Sequence, residues 1–148
     1  MKIMLYITLA ALALAAPRER ADVGKLRPVE VIAVNQSGEG YVIRTDLGDR
    51  GAGATLAEAV NDLRDTAPGI VYLDTAEYLL LENEVTDTAY LEQILKPRVR
   101  VCGAQTGIDL EGSGQYLDIH RPKERLRDGF SYNELEFLWV ENGLFCLE

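Results

Sequence analysis

Hydrophobic residues fall along this chain in short blocks, some alternating with polar residues and some continuous, with turn clusters between them. Val29-Glu30-Val31-Ile32-Ala33-Val34 passes from alternation into a continuous run, the pattern of a strand. Asn35 to Gly40 is a turn cluster, and Tyr41-Val42-Ile43-Arg44-Thr45 returns as a second strand, so a hairpin is predicted. A flexible glycine-rich connection, Gly48 to Gly53, leads to Thr55 and Glu58, whose spacing is that of a capping box. The Thr55 hydroxyl can accept from the Glu58 N–H while the Glu58 carboxylate accepts from the Thr55 N–H. Leu56, Val60 and Leu63 then give a helix one apolar face, and Ala67-Pro68-Gly69 stops it.

Ile70-Val71-Tyr72-Leu73 and Tyr78-Leu79-Leu80-Leu81 bracket Asp74-Thr75-Ala76-Glu77, as one long bent strand or as a strand followed by another element. Continuous apolar runs of this kind belong to strands covered on both faces. A second helix is predicted from Thr86-Asp87, with Leu91, Ile94 and Leu95 inward and Pro97 at its end. Val99-Arg100-Val101-Cys102 is the next strand. Thr106 to Asp109 reads as another capping box, opening a third helix through Leu110 and Leu117 to His120. Gly112 and Gly114 weaken that helix by roughly 1 kcal/mol each relative to Ala. In the tail, Asn142-Gly143 between two apolar runs is the residue pair of a type I′ turn and predicts a terminal β-hairpin. The order ββ-α-β(β)-α-β-α-ββ predicts an α/β (α+β) fold. It forms one compact domain over residues 29–148, a mixed sheet with about three helices.

The apolar run Ile3 to Ala16 is 14 residues long and uncharged, with Lys2 ahead of it. A bilayer-spanning helix needs roughly 20 apolar residues, so the run has the length of a signal h-region. Ala13-Leu14-Ala15 offers the small-x-small pattern of a cleavage site after Ala15. Residues 1–15 are therefore predicted to be a signal peptide and residues 16–28 a linker, placing the protein outside the cytoplasm, in the cell envelope or secreted. Arg18, Arg20, Lys25 and Arg27 resist translocation, because positive charge favours the cytoplasmic side. An uncleaved N-terminal anchor and a cytosolic protein with an apolar N-terminal helix share this pattern. No cysteine lies near the run to accept a lipid.

Removal of residues 1–15 leaves 133 residues, enough for one core. The chain carries 15 Lys and Arg against 24 Asp and Glu, a formal charge of −9. So acidic a chain repels nucleic-acid phosphates and anionic lipid, and nucleic acid is excluded as a partner. The basic run Arg121, Lys123, Arg125 and Arg127 is interleaved with Glu124 and Asp128 and reads as a solvated linker. Cys102 and Cys146, with the single His120, cannot build a Cys/His zinc site. In an exported protein the two cysteines could form a disulfide closing a loop of about 43 residues, worth roughly 3–4 kcal/mol. The alternative is two separate buried thiols.

The glycines of Gly48 to Gly53 follow neither the P-loop nor the dinucleotide spacing, and Asp46 and Asp49 would repel an anion. His120 reads as a helix C-terminal histidine facing the dipole. No catalytic, cofactor-binding or metal constellation stands out. Asp74, Glu77, Glu82, Glu84 and Asp87 could supply a carboxylate pair for glycoside hydrolysis or a calcium site, although the EF-hand pattern is absent. Phe137, Trp139 and Phe145 on the terminal hairpin are either buried on both sides or a partner surface.

One longer stretch carries a likeness. Val29 to Val34, then Gly53-Ala54-Thr55-Leu56-Ala57-Glu58-Ala59 with Leu63, the apolar strand Ile70 to Leu81, the helix ending at Leu95 and Val99-Arg100-Val101 follow in order. This segment, residues 29–104, resembles the N-terminal region of the spore germinant-receptor C subunits, the Ger(x)C lipoproteins of endospore-forming bacteria. The chain departs from that family in lacking a lipid-accepting cysteine and in being much shorter. The resemblance implies a non-enzymatic domain of the spore or cell envelope working through protein contacts, followed here by residues 105–148, a helix and the terminal hairpin. The expected function is a non-catalytic, exported or envelope-associated protein-interaction domain linked to sporulation or germination, with an envelope or membrane protein as partner. A small secreted hydrolase using acidic residues and a small-molecule or metal-ion binding module are the alternatives.

Overall fold

The computed structural model describes residues 25–148 together with Ile7. The expected signal segment, Ile7 apart, and the expected linker through residue 24 lie outside the described residues. The strands are β1 (Leu26–Pro28), β2 (Val31–Ser37), β3 (Gly40–Thr45), β4 (Arg50–Gly53), β5 (Ile70–Tyr72), β6 (Tyr78–Leu81), β7 (Arg100–Ala104), β8 (Phe137–Glu141) and β9 (Leu144–Leu147). The helices are α1 (Leu56–Thr66), α2 (Ala89–Ile94) and α3 (Ser113–His120). Seven strands form one sheet in the order β4-β3-β2-β6-β7-β8-β9, while β1 and β5 pair separately. The central neighbours β2, β6, β7 and β8 run parallel, and antiparallel hairpins finish both ends. The α/β character, the mixed sheet, the three α-helices among residues 25–148 and the terminal hairpin are as the patterning predicts.

Parallel strands need crossovers that cover the faces of the sheet, and the burial of β6 follows from this. Leu79, Leu80 and Leu81 are all fully buried. Ile32, Val34, Leu79, Leu81 and Val101 face one core with Leu56 and Leu63 of α1 and Leu91 of α2. Val31, Ala33, Leu80, Cys102 and Leu138 face a smaller core closed by Leu117 of α3. The capping box at α1 is present in both directions, with Glu58 N–H donating to Thr55 Oγ1 at 3.2 Å and Thr55 N–H donating to Glu58 Oε2 at 3.3 Å. Gly51 lets α1 lie directly on β4, since a Cβ there would collide with the backbone of Ala59 and Leu63.

Of the two readings open for Ile70 to Leu81, the structure takes the second: a strand, a 3-10 turn at Leu73–Thr75, then another strand. Three expectations are corrected. The stretch Gly48 to Gly53 is not wholly a flexible connection, because Arg50–Gly53 pairs with β3 as strand β4. β5 pairs in parallel with β1, so Leu26–Pro28, expected at the end of a linker, is strand. The third helix starts at Ser113 rather than near Thr106. Gly107 and Gly112 both adopt left-handed backbone, at φ 73° and 76°, and break the turn. Thr106 and Gly107 instead donate to Glu82, through its carbonyl at 3.2 Å and its Oε1 at 3.2 Å.

Cys102 and Cys146 are separate thiols, Cys102 buried and Cys146 half-buried. β8 lies between their strands, and Cys102 is level with Glu136 while Cys146 is level with Trp139, so they sit more than two strand spacings apart, over about 10 Å and beyond the roughly 7 Å that a disulfide can bridge. Cys102 belongs to the smaller core, whereas Cys146 pairs with Trp139 on the opposite face. Among the described residues no helix is long and apolar enough to cross a membrane.

Candidate functional site

Two surfaces bring chemistry together. The first lies where β2 and β6 begin. Glu30 immediately precedes β2, Glu77 precedes β6, and Glu77 N–H and Tyr78 N–H both donate to the Glu30 carbonyl, at 2.9 and 3.1 Å. This fastens the two acidic side chains side by side, and α3 supplies Asp118. Carboxylate oxygens of Glu30, Glu77 and Asp118 lie within 4.8 Å of one another. Tyr78 Oη donates to Asp118 Oδ1 at 2.5 Å. Gly114 makes room for this arrangement, because a Cβ there would stand 2.5 Å from Glu30 Oε2.

Crowding acids in this way favours their neutral forms. Glu30 is pushed up from 4.5 to about 7. Burial is the largest cause, followed by the hydrogen bond to Asp118 and the charges of Asp118, Asp46 and Glu77. The same burial and the same acids raise the Tyr78 phenol. A cavity of about 240 Å³ opens beside Tyr78 and Asp118, flanked by Arg98, Arg100, Arg121 and Arg125.

Those arginines correct the reading of residues 121–127 as a solvated linker. Leu126 is buried, and its N–H donates to Val99 O at 2.9 Å while Val101 N–H donates to Glu124 O at 2.9 Å. Arg100 and Arg125 form an isolated antiparallel bridge. The run therefore docks beside the start of β7, where Lys96, Arg98 and Arg100 join it. Nearly half of the chain's 15 basic residues collect there. The signal was present in the two basic runs, but nothing local says that two segments more than 20 residues apart share one face.

The second surface is the terminal hairpin. Asn142 and Gly143 both have positive φ, 52° and 77°, as a type I′ turn requires. Its residues are divided between faces. Phe137 and Trp139 lie together, ring centroids 6.4 Å apart, on the face that also carries Leu144 and Cys146. Phe137 is 41% exposed and Leu144 70%. Phe145 is on the other face, against Tyr116 of α3 at 5.8 Å. The expected trio Phe137, Trp139 and Phe145 is therefore not one surface: two of its members are, and Leu144 completes it.

The acidic residues between 74 and 87 do not converge. Glu82 is buried and paired with Arg44. Asp74, Glu84 and Asp87 stand apart from the cluster, and only Glu77 joins it. Glu30 and Asp118, the other members, lie 47 and 41 positions from Glu77, a separation that no motif spans. His120 stacks on Tyr116 at 3.9 Å, with Nδ1 2.9 Å from the Tyr116 carbonyl, a contact within the last turn of α3. The Gly48 turn closes the β3–β4 hairpin, with Thr45 N–H donating to Asp49 O at 3.0 Å and Asp49 paired to Arg27 at 3.2 Å. Comparison of the chain with protein-family models, with curated proteins and with solved structures finds no match.

Proposed function

We propose that this chain is a non-catalytic, exported or envelope-associated protein-interaction domain that works through the outer face of its terminal hairpin. The observation that carries the reading is the exposure of Phe137 and Leu144 beside Trp139 on a sheet face that the helices leave open. Large apolar side chains grouped on a surface cost solvation unless a partner covers them. The apolar N-terminal run supports export, and the resemblance of residues 29–104 to the germinant-receptor C subunits supports an envelope partner in sporulation or germination. The test is fractionation of the host with intact-mass analysis. An envelope or secreted form beginning at Ala16, whose envelope recovery falls several-fold on Trp139→Glu, is expected. A wholly cytosolic protein retaining Met1 would sink the reading.

The Glu30–Glu77–Asp118 cluster favours a second reading, a metal-ion binding module. Three carboxylate oxygens within 4.8 Å match the reach of one hard cation. A thermal shift with calcium or magnesium that Asp118→Asn removes would favour this module over the interaction domain.

A further inference from the structure

The two outermost strands of the seven-stranded sheet are finished differently. On β4, Ala52 N–H donates to Asp62 Oδ2 at 2.9 Å, and Thr66 Oγ1 donates to Arg50 O at 3.2 Å, so side chains of α1 close that edge. Among the described residues, β9 has no such cover. Phe137 and Glu148 exchange both backbone hydrogen bonds, at 2.6 and 3.1 Å. Antiparallel alternation then makes Trp139–Cys146 and Glu141–Leu144 hydrogen-bonded pairs, and Leu138–Leu147 and Val140–Phe145 non-bonded ones. The N–H and C=O groups of Phe145 and Leu147 consequently point away from β8, and among the described residues no partner meets them. Open edges are ordinarily guarded by charge, proline or a bulge. Leu144-Phe145-Cys146-Leu147 carries none of these.

We propose that β9 pairs antiparallel with β9 of a second copy of this chain, with Cys146 facing Cys146 across the two-fold axis. The proposal rests on the hairpin being the contact surface and names what covers its edge. Only this register lets both outward residues bond, Phe145 with Leu147 of the partner and Leu147 with Phe145, for about four backbone hydrogen bonds. On one face it sets Phe145 against Leu147. On the other it joins the two sets of Phe137, Trp139 and Leu144 into one apolar surface. Glu148 falls opposite Leu144, so no two acids face each other despite the chain's charge of −9.

Cys146 then occupies a non-hydrogen-bonded pair, whose Cα atoms stand about 4.5 Å apart, within the 4.4–6.8 Å range of disulfides. Pairing of one short strand covers far less than the roughly 1,200–2,000 Å² of a stable interface, so the reversible dimer is weak and a covalent bond prolongs it. The oxidant is a low-molecular-weight disulfide. One Cys146 thiolate attacks it, forming a mixed disulfide and releasing one thiol. The second Cys146 thiolate attacks the protein sulfur, forming the Cys146–Cys146 bond and releasing the other thiol, so two protein thiols are oxidised and one disulfide is reduced to two thiols.

The full chain is treated with oxidised glutathione and followed by intact mass, peptide mapping and sedimentation, with far-UV circular dichroism confirming the fold of each variant. A dimer linked Cys146 to Cys146 is expected, unchanged in Cys102→Ser and absent in Cys146→Ser. Cys146→Ser still associates reversibly at high concentration, whereas Cys146→Lys, which sets like charges opposite each other, lowers that association at least tenfold. Glutathionylated monomer alone, or a dimer that Cys146→Lys leaves intact, overturns the proposal. Envelope recovery of Trp139→Glu is read in parallel. A fall there with a wild type that stays monomeric ends the self-pairing and leaves the hairpin reading standing.

Discussion

Cys102 and Cys146 illustrate how environment divides two identical side chains. Burial in the smaller core pushes the Cys102 thiol up to about 12, with the charge of Glu136 adding to the rise. It is the thiolate that reacts, so Cys102 is inert in the folded protein. Native alkylation with iodoacetamide is expected to add one label, on Cys146, and a second only in denaturant, as mass spectrometry would read. Glu30 makes a pH prediction of the same kind. Its folded value of about 7 exceeds the ordinary 4.5, so the folded chain binds the proton more tightly than the unfolded chain. Stability from this group is full below about pH 4.5 and is lost as pH rises through 7. Urea midpoints measured from pH 4 to 8 should fall across that window, and Glu30→Gln should flatten the fall.

At the scale of the element, local signals succeed where the hydrogen-bonding partners lie within a few residues. The capping box of α1 and the Asn142-Gly143 turn of the β8–β9 hairpin stand where their sequences place them. Thr55→Ala removes the acceptor for Glu58 N–H and is expected to cost about 1 kcal/mol in denaturant unfolding. The Thr106 signal failed for a reason visible in its surroundings. Glu82, from the end of β6, takes the Thr106 hydroxyl and the Gly107 N–H, and this tertiary pairing outcompetes a helix start. By helix propensity Gly114 weakens α3. Its missing side chain is what lets the helix approach Glu30.

Across the whole molecule, β6 is the keystone, with parallel neighbours on both sides and a core on each face. Leu80→Ala should cost roughly 2–5 kcal/mol. Leu138 reaches from the hairpin into the same core as Leu80, so Trp139 fluorescence and far-UV circular dichroism should lose structure at the same urea concentration. Separate transitions would show that the hairpin is an independent unit. The charge also redistributes at this scale. An acidic chain folds to hold a basic face around Arg100 and Arg125, which composition conceals because it averages over the surface.

The helix cap, the terminal turn and the full burial of Leu79 to Leu81 follow from residues adjacent in sequence, because period and capping are local physics, whereas β1 and β4 are strands only because β5 and β3 lie beside them. The meeting of Glu30, Glu77 and Asp118, the docking of Leu126 beside Val99 and the separation of Cys102 from Cys146 depend on which strands become neighbours. So does the contrast between the closed edge at β4 and the open edge at β9. Strand order is chosen by the packing of both cores at once, a long-range balance that no window of the sequence contains.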